Sequence, residues 1–342
     1  MAGKGTGQSG RSTNGITLID VAKAAGVAPM TVSRALNNPD HVKKATLLKV
    51  RKAIEETGYV RNLVAGALAS NRSHLVAVIV PILTNPIFSD TFQAIADRLS
   101  KSGYQVLLGI SGYQPDQEQE LLEVILSRRP DGIILTGTLH TEASRRRLRA
   151  VGVPVVETWD LTSDPIDMLV GFSHEEIGRH VARHLLGKGY GDFATLSVDD
   201  PRGMRRINAF LDELRSNGIS NVPGERIQGV PTLEHGRSGL RKLLATPARP
   251  LVVVCTSDTL AHGVLTEAMA QGIRVPDEIA VMGFGDMNFA AHTHPSLSTV
   301  KIDGKAMGDA AASALLDRLL GNSDDVLQQD IGYQLIDRDS TR

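Results

Sequence analysis

The side chains best equipped for chemistry in this 342-residue chain are arginines, amides and carboxylates, not nucleophiles. Arg34 shares a polar helical face with Met30, Thr31, Ser33 and Asn37. Its guanidinium can donate two parallel hydrogen bonds to an acceptor pair such as a guanine edge. Thr31, Ser33 and Asn37 have the reach of groups that position a phosphate backbone, and Thr17, which opens the preceding helix, is grouped with them. Much later, Arg202, Arg205 and Arg206 crowd the start of a helix, where an anion is welcome; a solvated cationic face is the other reading. Asn85 offers a donor and an acceptor, and Phe88 a flat apolar ring. Asp160, Ser257, Asp258 and Asp286 each follow an apolar run, although Asp258 serves equally well as a helix N-cap. His180 and His184 lie four apart, with His174 nearby, but no third zinc ligand or His-Glu pattern accompanies them, so they read as surface histidines. Cys255 is the only cysteine, which excludes a disulfide framework and a cysteine metal site. No Gly-x-Ser-x-Gly, P-loop or Cys-His pairing is present. No enzyme, metal or cofactor is expected.

Two kinds of element must position these groups. Through residue 74 the chain carries eleven Lys and Arg against four Asp and Glu, a balance of +7; the remainder has 26 against 34, a balance of −8. The basic part is foldable, so it is expected to meet a polyanion. Thr17 can cap a helix whose inner face is Leu18, Val21, Ala22 and Ala25, and Gly26 stops it. Pro29 starts a second helix with Val32, Ala35 and Leu36 inside. A third is predicted over 46–57, with Leu47, Val50 and Ile54 inside, Lys49, Arg51 and Lys52 outside, and Gly58 as its stop. This is a helix-turn-helix pattern, whose second helix enters a major groove. Residues 61–70 (RNLVAGALAS) are too short and too interrupted by Gly66 to be a stable helix alone.

From residue 75 apolar runs alternate with amphipathic stretches. Strands are expected at 75–80, 105–110, 132–136 and 153–157, with helices at 89–101, 117–127 and 144–150. A second set has strands at 192–197, 251–256 and 279–283, and helices at 203–216, 258–271 and 305–320. Such alternation predicts parallel sheets covered on both faces, in two Rossmann-like lobes. Ligands then bind beyond the carboxyl ends of the strands.

Residues 17–37 (TLIDVAKAAGVAPMTVSRALN) resemble the opening of the LacI/GalR family of repressors. The resemblance implies base reading by Pro29, Met30 and Arg34, and phosphate contacts from His41, Lys43, Thr46, Tyr59 and Asn62. It also implies a hinge that folds only on the operator, with Val64 and Ala65 at its pairing positions and Leu68 wedged into the minor groove. Ala28 stands where the family has a Ser or Thr cap, and Arg61 replaces its usual proline. In the body, 85–88 (NPIF) resembles the family's ligand-facing loop, and 206–210 (RINAF) a segment whose arginine contacts effector. Asp160 and Ser257 fall on other pocket positions, and Gly285 replaces a ligand-holding aspartate, with Asp286 beside it. Residues 112–120 (GYQPDQEQE) and 134–141 (ILTGTLHT) are similar to the gluconate-utilisation repressors of the family.

The expected protein is therefore a small all-α helix-turn-helix head on an α/β body of two Rossmann-like lobes, like a periplasmic binding protein. Its expected organisation is a flexible tail at 1–15, a DNA-binding domain at 16–60, a hinge and linker at 61–73, and an effector-binding and dimerisation domain at 74–342. Expected partners are near-palindromic double-stranded operator DNA, a small sugar-acid effector and a second copy of the chain. No membrane span or secretory signal is evident, and no heptad-patterned tail follows residue 335, so a cytoplasmic, nucleoid-associated dimer is expected. The alternatives are a neutral-sugar or purine regulator, a corepressor-dependent one, a solute-binding protein, and a sugar-processing enzyme.

Overall fold

The computed structural model describes residues 16–60, 72–83, 86–245, 252–322 and 327–342. The expected hinge residues Arg61, Asn62, Val64, Ala65, Gly66 and Leu68 lie outside the described residues, as does Asn85. The chain divides into two compact units, Met1–Ser73 and His74–Arg342.

The first unit holds α1 (Leu18–Ala25), α2 (Pro29–Asn37) and α3 (Lys44–Thr57). Its core is made of small residues, Val21, Ala22, Val32, Ala35, Val50 and Ala53, ringed by Leu18, Leu36, Leu47 and Ile54. The entry to α1 works the other way round from a simple threonine cap. The Asp20 carboxylate reaches back to accept the Thr17 backbone N–H at 2.9 Å and the Thr17 hydroxyl at 2.6 Å. Gly26 ends α1 at φ 63°, a left-handed value glycine adopts without strain. Helix α2 begins on Pro29 after Ala28, which supplies no side-chain cap. Helix α3 starts two residues ahead of the expected boundary and ends at Gly58.

The second unit opens β1 (Leu75–Val80), α4 (Pro86–Lys101), β2 (Gln105–Ile110), α5 (Pro115–Ser127), β3 (Gly132–Thr136), α6 (Glu142–Val151), β4 (Val155–Thr158), β5 (Met168–Gly171) and α7 (His174–Gly187). It continues β6 (Phe193–Val198), α8 (Pro201–Ser216), β7 (Gly224–Ile227), α9 (Leu233–Leu244), β8 (Val252–Cys255), α10 (Asp258–Ala270) and β9 (Ala280–Met282). The last elements are β10 (Thr299–Lys301), α11 (Gly304–Leu320), β11 (Gln328–Asp330) and β12 (Gln334–Ile336). One sheet runs β11-β5-β4-β3-β1-β2 and the other β7-β6-β8-β9, with β10 and β12 paired separately. Both larger sheets are parallel throughout.

Alternation along β1 shows why its sequence is apolar without a break. Val76, Val78 and Val80 enter one core with Ile95 and Leu99 of α4. Ala77 and Ile79 enter another with Leu122 and Ile125 of α5. A strand buried on both faces has no polar side to show, and each fully buried aliphatic side chain contributes about 1.5–3 kcal/mol. The chain leaves β1 for β2 on one side and returns for β3 on the other; β6 stands in the same relation to β7 and β8. Each sheet thus has one switch point, where adjacent strand ends diverge and leave a crevice.

Candidate functional site

On the first unit, Pro29, Met30 and Arg34 are exposed, and Met30 retains 70% of its surface. His41 and Lys43 are also exposed, whereas Thr31, Ser33 and Thr46 are half-buried. Three sequence-derived candidates are engaged internally. The Thr17 hydroxyl is held by Asp20, the Asn37 amide donates to the Ser33 hydroxyl at 3.3 Å, and the Tyr59 ring packs on the core.

On the second unit, the ends of β1, β2, β3, β4, β6 and β8 enclose two adjoining cavities. The first, about 460 Å³, lies over the sheet holding β1 and β3 and is walled by Pro81, Gly112, Glu118, Thr138 and Asp160. The second, about 500 Å³, is walled by Phe88, Trp159, His174, Arg206, Ser257 and Phe284. Tyr113, Asp200 and Arg202 are common to both.

Helix α8 supplies the arginines. Asp200 caps it by accepting the Gly203 N–H at 2.8 Å, and Pro201 follows. The next turns then send three guanidiniums to three different tasks. Arg205 is neutralised, donating from Nη1 to both Asp160 oxygens at 3.0 and 2.9 Å. Arg206 lies 3.6 Å over the Phe284 ring and donates to His174 Nδ1 and to the Thr256 carbonyl, each at 2.9 Å. Arg202 faces the rings of Phe88 and Tyr113 at 5.5 and 6.0 Å. Its Nη1 is buried with no hydrogen-bond partner among the described residues, and so is the indole Nε1 of Trp159.

His174 links the two sheets. Because guanidinium only donates, Nδ1 must accept from Arg206; Nε2 therefore carries the proton and donates to the Trp159 carbonyl at 2.9 Å. A continuous hydrogen-bonded chain thus joins the end of β4 to the end of β8. Burial, then the neighbouring Arg206 and Arg202, hold the imidazole well below its ordinary pKa, keeping it neutral. Burial lowers Arg206 to about 10, which leaves it charged. Burial pushes Asp160 up, while Arg205 and Thr138 act in the opposite direction.

Of the sequence-derived ligand candidates, Phe88, Asp160, Arg202, Arg206 and Ser257 come together here. Ser257 also caps α10 by accepting the Leu260 N–H at 3.3 Å. Two carboxylates do not line either cavity. Asp258 is fully buried, accepting the Met287 N–H at 2.8 Å and the Thr299 hydroxyl at 2.6 Å; Ser257, not Asp258, is the helix cap. Asp286 is bonded to Arg338 at 2.7 Å, at a φ of 50°. His174 is not a surface histidine: it is 2% exposed. Trp159, Tyr113, Asp200 and Phe284 were not singled out from sequence. Only the position of Trp159, between an apolar strand and Asp160, carried a signal. Among the described residues no group of three or more His, Cys, Asp or Glu is placed to hold a metal ion, and no helix is long and apolar enough to cross a membrane.

A helix-turn-helix unit on the same chain as a two-sheet body with a polar cleft at its strand ends is the build of a ligand-responsive DNA-binding regulator. Residues 17–62 match the family described as bacterial regulatory proteins, lacI family, and residues 182–341 match a periplasmic binding protein-like domain. The chain is 38% identical over 333 residues to the HTH-type transcriptional regulator GntR of Pseudomonas aeruginosa, covering 97% of each. It is 32% identical to the regulator of the same name in Escherichia coli K12, covering 93% of this chain and 96% of the relative. A LacI-family regulator from Silicibacter pomeroyi superimposes with a TM-score of 0.90 at 34% identity, over 96% of this chain and 99% of that one. The lac repressor dimer bound to operator and the anti-inducer ONPF gives 0.82 at 26% identity, over 96% and 99%. The chain belongs to the lacI family of bacterial regulatory proteins and is a helix-turn-helix transcriptional regulator, in a company of regulators rather than enzymes.

Proposed function

We propose that this protein represses sugar-acid catabolic genes of the gluconate type and leaves its operator when a small polyhydroxy acid enters the cleft. The observation that carries this reading is the pair of buried donors without partners, Arg202 Nη1 and Trp159 Nε1. An unsatisfied buried donor costs about 1–3 kcal/mol, more when charged. A carboxylate, which only accepts, relieves that cost. Of the arginines around the cleft, Arg205 is neutralised by Asp160, which leaves Arg202 and Arg206 as the cations that line the second cavity, against Asp200 alone. The segments that resemble gluconate-utilisation repressors, 112–120 and 134–141, contribute Tyr113, Glu118, Thr136 and Thr138 to the first cavity.

In this reading Pro29, Met30 and Arg34 read bases, while Thr17, Thr31, Ser33, Asn37, His41, Lys43, Thr46, Tyr59 and Asn62 hold the backbone. The hinge at 61–73 pairs with its mate through Val64 and Ala65 and places Leu68 in the minor groove of a near-palindrome bound by a cytoplasmic dimer. Asn85 joins Phe88, Asp160, Arg202, Arg206 and Ser257 at the effector. A ligand that satisfies Trp159, which follows β4, and Arg202, on the helix after β6, contacts groups carried by both sheets, so its binding energy biases their arrangement, and through it operator affinity.

The test is calorimetry of the full chain with gluconate, 6-phosphogluconate and neutral sugars, with operator release followed by gel shift. Acid-selective binding that collapses in Arg202→Gln supports the proposal. Binding of a neutral sugar or a purine alone overturns it.

A further inference from the structure

The two cavities differ in kind. The second is aromatic and cationic; the first is walled by side chains bearing hydroxyls, amides and carboxylates, and the acid reading gives Glu118 no task there. Its three carboxylates are not equivalent. Asp160 is saturated by Arg205, the Thr138 hydroxyl and the Leu161 N–H. Asp200 is committed to the cap of α8. Glu118, only 7% exposed, gives one oxygen to His140 Nδ1 at 2.5 Å; its other oxygen accepts nothing from any described residue. That oxygen is open to the cavity, where it can accept from a ligand's donor. Around the same cavity, Arg202 Nη1 lies against Gly137 of the loop after β3 and has nothing to donate to. An open acceptor and an open donor around one polar cavity match a hydroxyl, which does both.

What holds Glu118 is equally specific. The His140 side chain is 1% exposed and sits between two carboxylates, with Nε2 3.3 Å from Glu157 Oε1. Glu157 is anchored in turn by the Ile166 N–H at 2.5 Å, with Arg145 3.9 Å away. His140, on the loop after β3, thus ties α5 to β4 at the cavity edge. Burial opposes a charge on the ring, but the hydrogen bond to Glu118 and the close approach of Glu157 outweigh it and raise its pKa to about 9.

We propose that the first cavity is a hydroxyl-reading compartment for the polyol chain of the effector, with Glu118 as its acceptor and His140 as the residue that positions Glu118. This rests on the sugar-acid reading and assigns the two ends of that ligand: the acid group to the side of Trp159, and the hydroxylated chain to the side of Glu118, with Arg202 between them.

Three probes separate the two claims: D-gluconate (acid and hydroxyls), hexanoate (acid alone) and D-glucitol (hydroxyls alone). Each is titrated into the full chain and its Glu118→Gln and His140→Gln variants. Gluconate should bind at least about tenfold more tightly than hexanoate, and each variant should weaken gluconate about tenfold, the scale of one hydrogen bond to a charged group, with hexanoate within about twofold. A variant that weakens both acids equally has only a structural role, and gluconate binding unchanged in Glu118→Gln overturns the compartment. If His140→Gln fails to fold, Glu118→Gln decides alone. Glucitol binding as tightly as gluconate overturns the acid reading, yet supports the compartment if Glu118→Gln weakens it. Binding of none of the three overturns both.

Discussion

At the scale of single residues, function turns on side chains whose polar atoms are left over. Trp159 packs edge-on against Phe88 and Phe172, with ring centroids 5.1 and 5.7 Å away, and only its N–H is spare. Trp159→Phe should therefore keep the packing and lose the donor. Effector affinity measured by calorimetry should fall about tenfold, and the concentration needed for operator release should rise in step. On the DNA side, Arg34 has no element of its own to brace and is fully presented. Arg34→Ala should cost about 1–3 kcal/mol against the specific operator in a gel shift and much less against unrelated duplex. Equal loss on both would assign Arg34 to phosphates.

At the scale of elements, two local choices set how well those residues are held. Helix α2 begins after Ala28 with no side-chain cap. Ala28→Ser should restore one, raising the thermal stability of the first unit by about 1 kcal/mol. Helices α7 and α8 pack through Gly178, where an added Cβ would overlap the Arg206 carbonyl oxygen. Gly178→Ala must push the helices apart at the turn that carries Arg206. It should weaken effector binding and lower the melting temperature together, whereas Arg202→Gln should affect binding chiefly. The strands show what was legible at this scale. The runs at β1, β2 and β3 were readable to the residue because uninterrupted aliphatic stretches bounded by polar residues or glycine have no other stable use. Strand β5 (Met168–Gly171) and strand β7 (Gly224–Ile227) were missed; β7, half-buried and carrying Glu225 and Arg226, shows no apolar run. Helix α9 was missed as well, since its inward face includes Gly236 and Gly239, small residues that lend no apolar stripe.

At the scale of the whole molecule, two buried histidines give the body opposite pH limbs. His140 has its pKa raised to about 9, so the stability it contributes is complete below its ordinary value of 6.5 and is lost as pH rises through 9. His174 is held neutral, its pKa pushed well below 6.5. Its contribution is complete above 6.5 and is lost as pH falls below that value. Thermal denaturation across pH 5–10 should therefore show a maximum between the two limbs, with the alkaline limb flattened in His140→Gln. An alkaline limb unchanged in that variant would mean that another group carries it.

The sequence by itself determined the three helices of the first unit and the aliphatic strands of the second. Caps, glycine stops, helical faces and aliphatic runs are local, and local propensity together with burial leaves each of them one stable conformation. It therefore also determined that a helix-turn-helix precedes two parallel sheets, and that the ligand-facing groups lie after strands. Only the tertiary structure decided which of those groups face the cleft. Asp258, Asp286, Glu118 and Asp160 are all carboxylates near element ends and look alike along the chain. Asp258 and Asp286 are consumed by Thr299, Met287 and Arg338, residues 29–52 positions away. Glu118 is aimed by a histidine 22 positions away. His174 becomes a buried bridge because Trp159 and Arg206 arrive on either side of it. These partnerships depend on where distant segments converge at the two switch points. A charge taken out of water must find a partner, and it is the fold that supplies or withholds one.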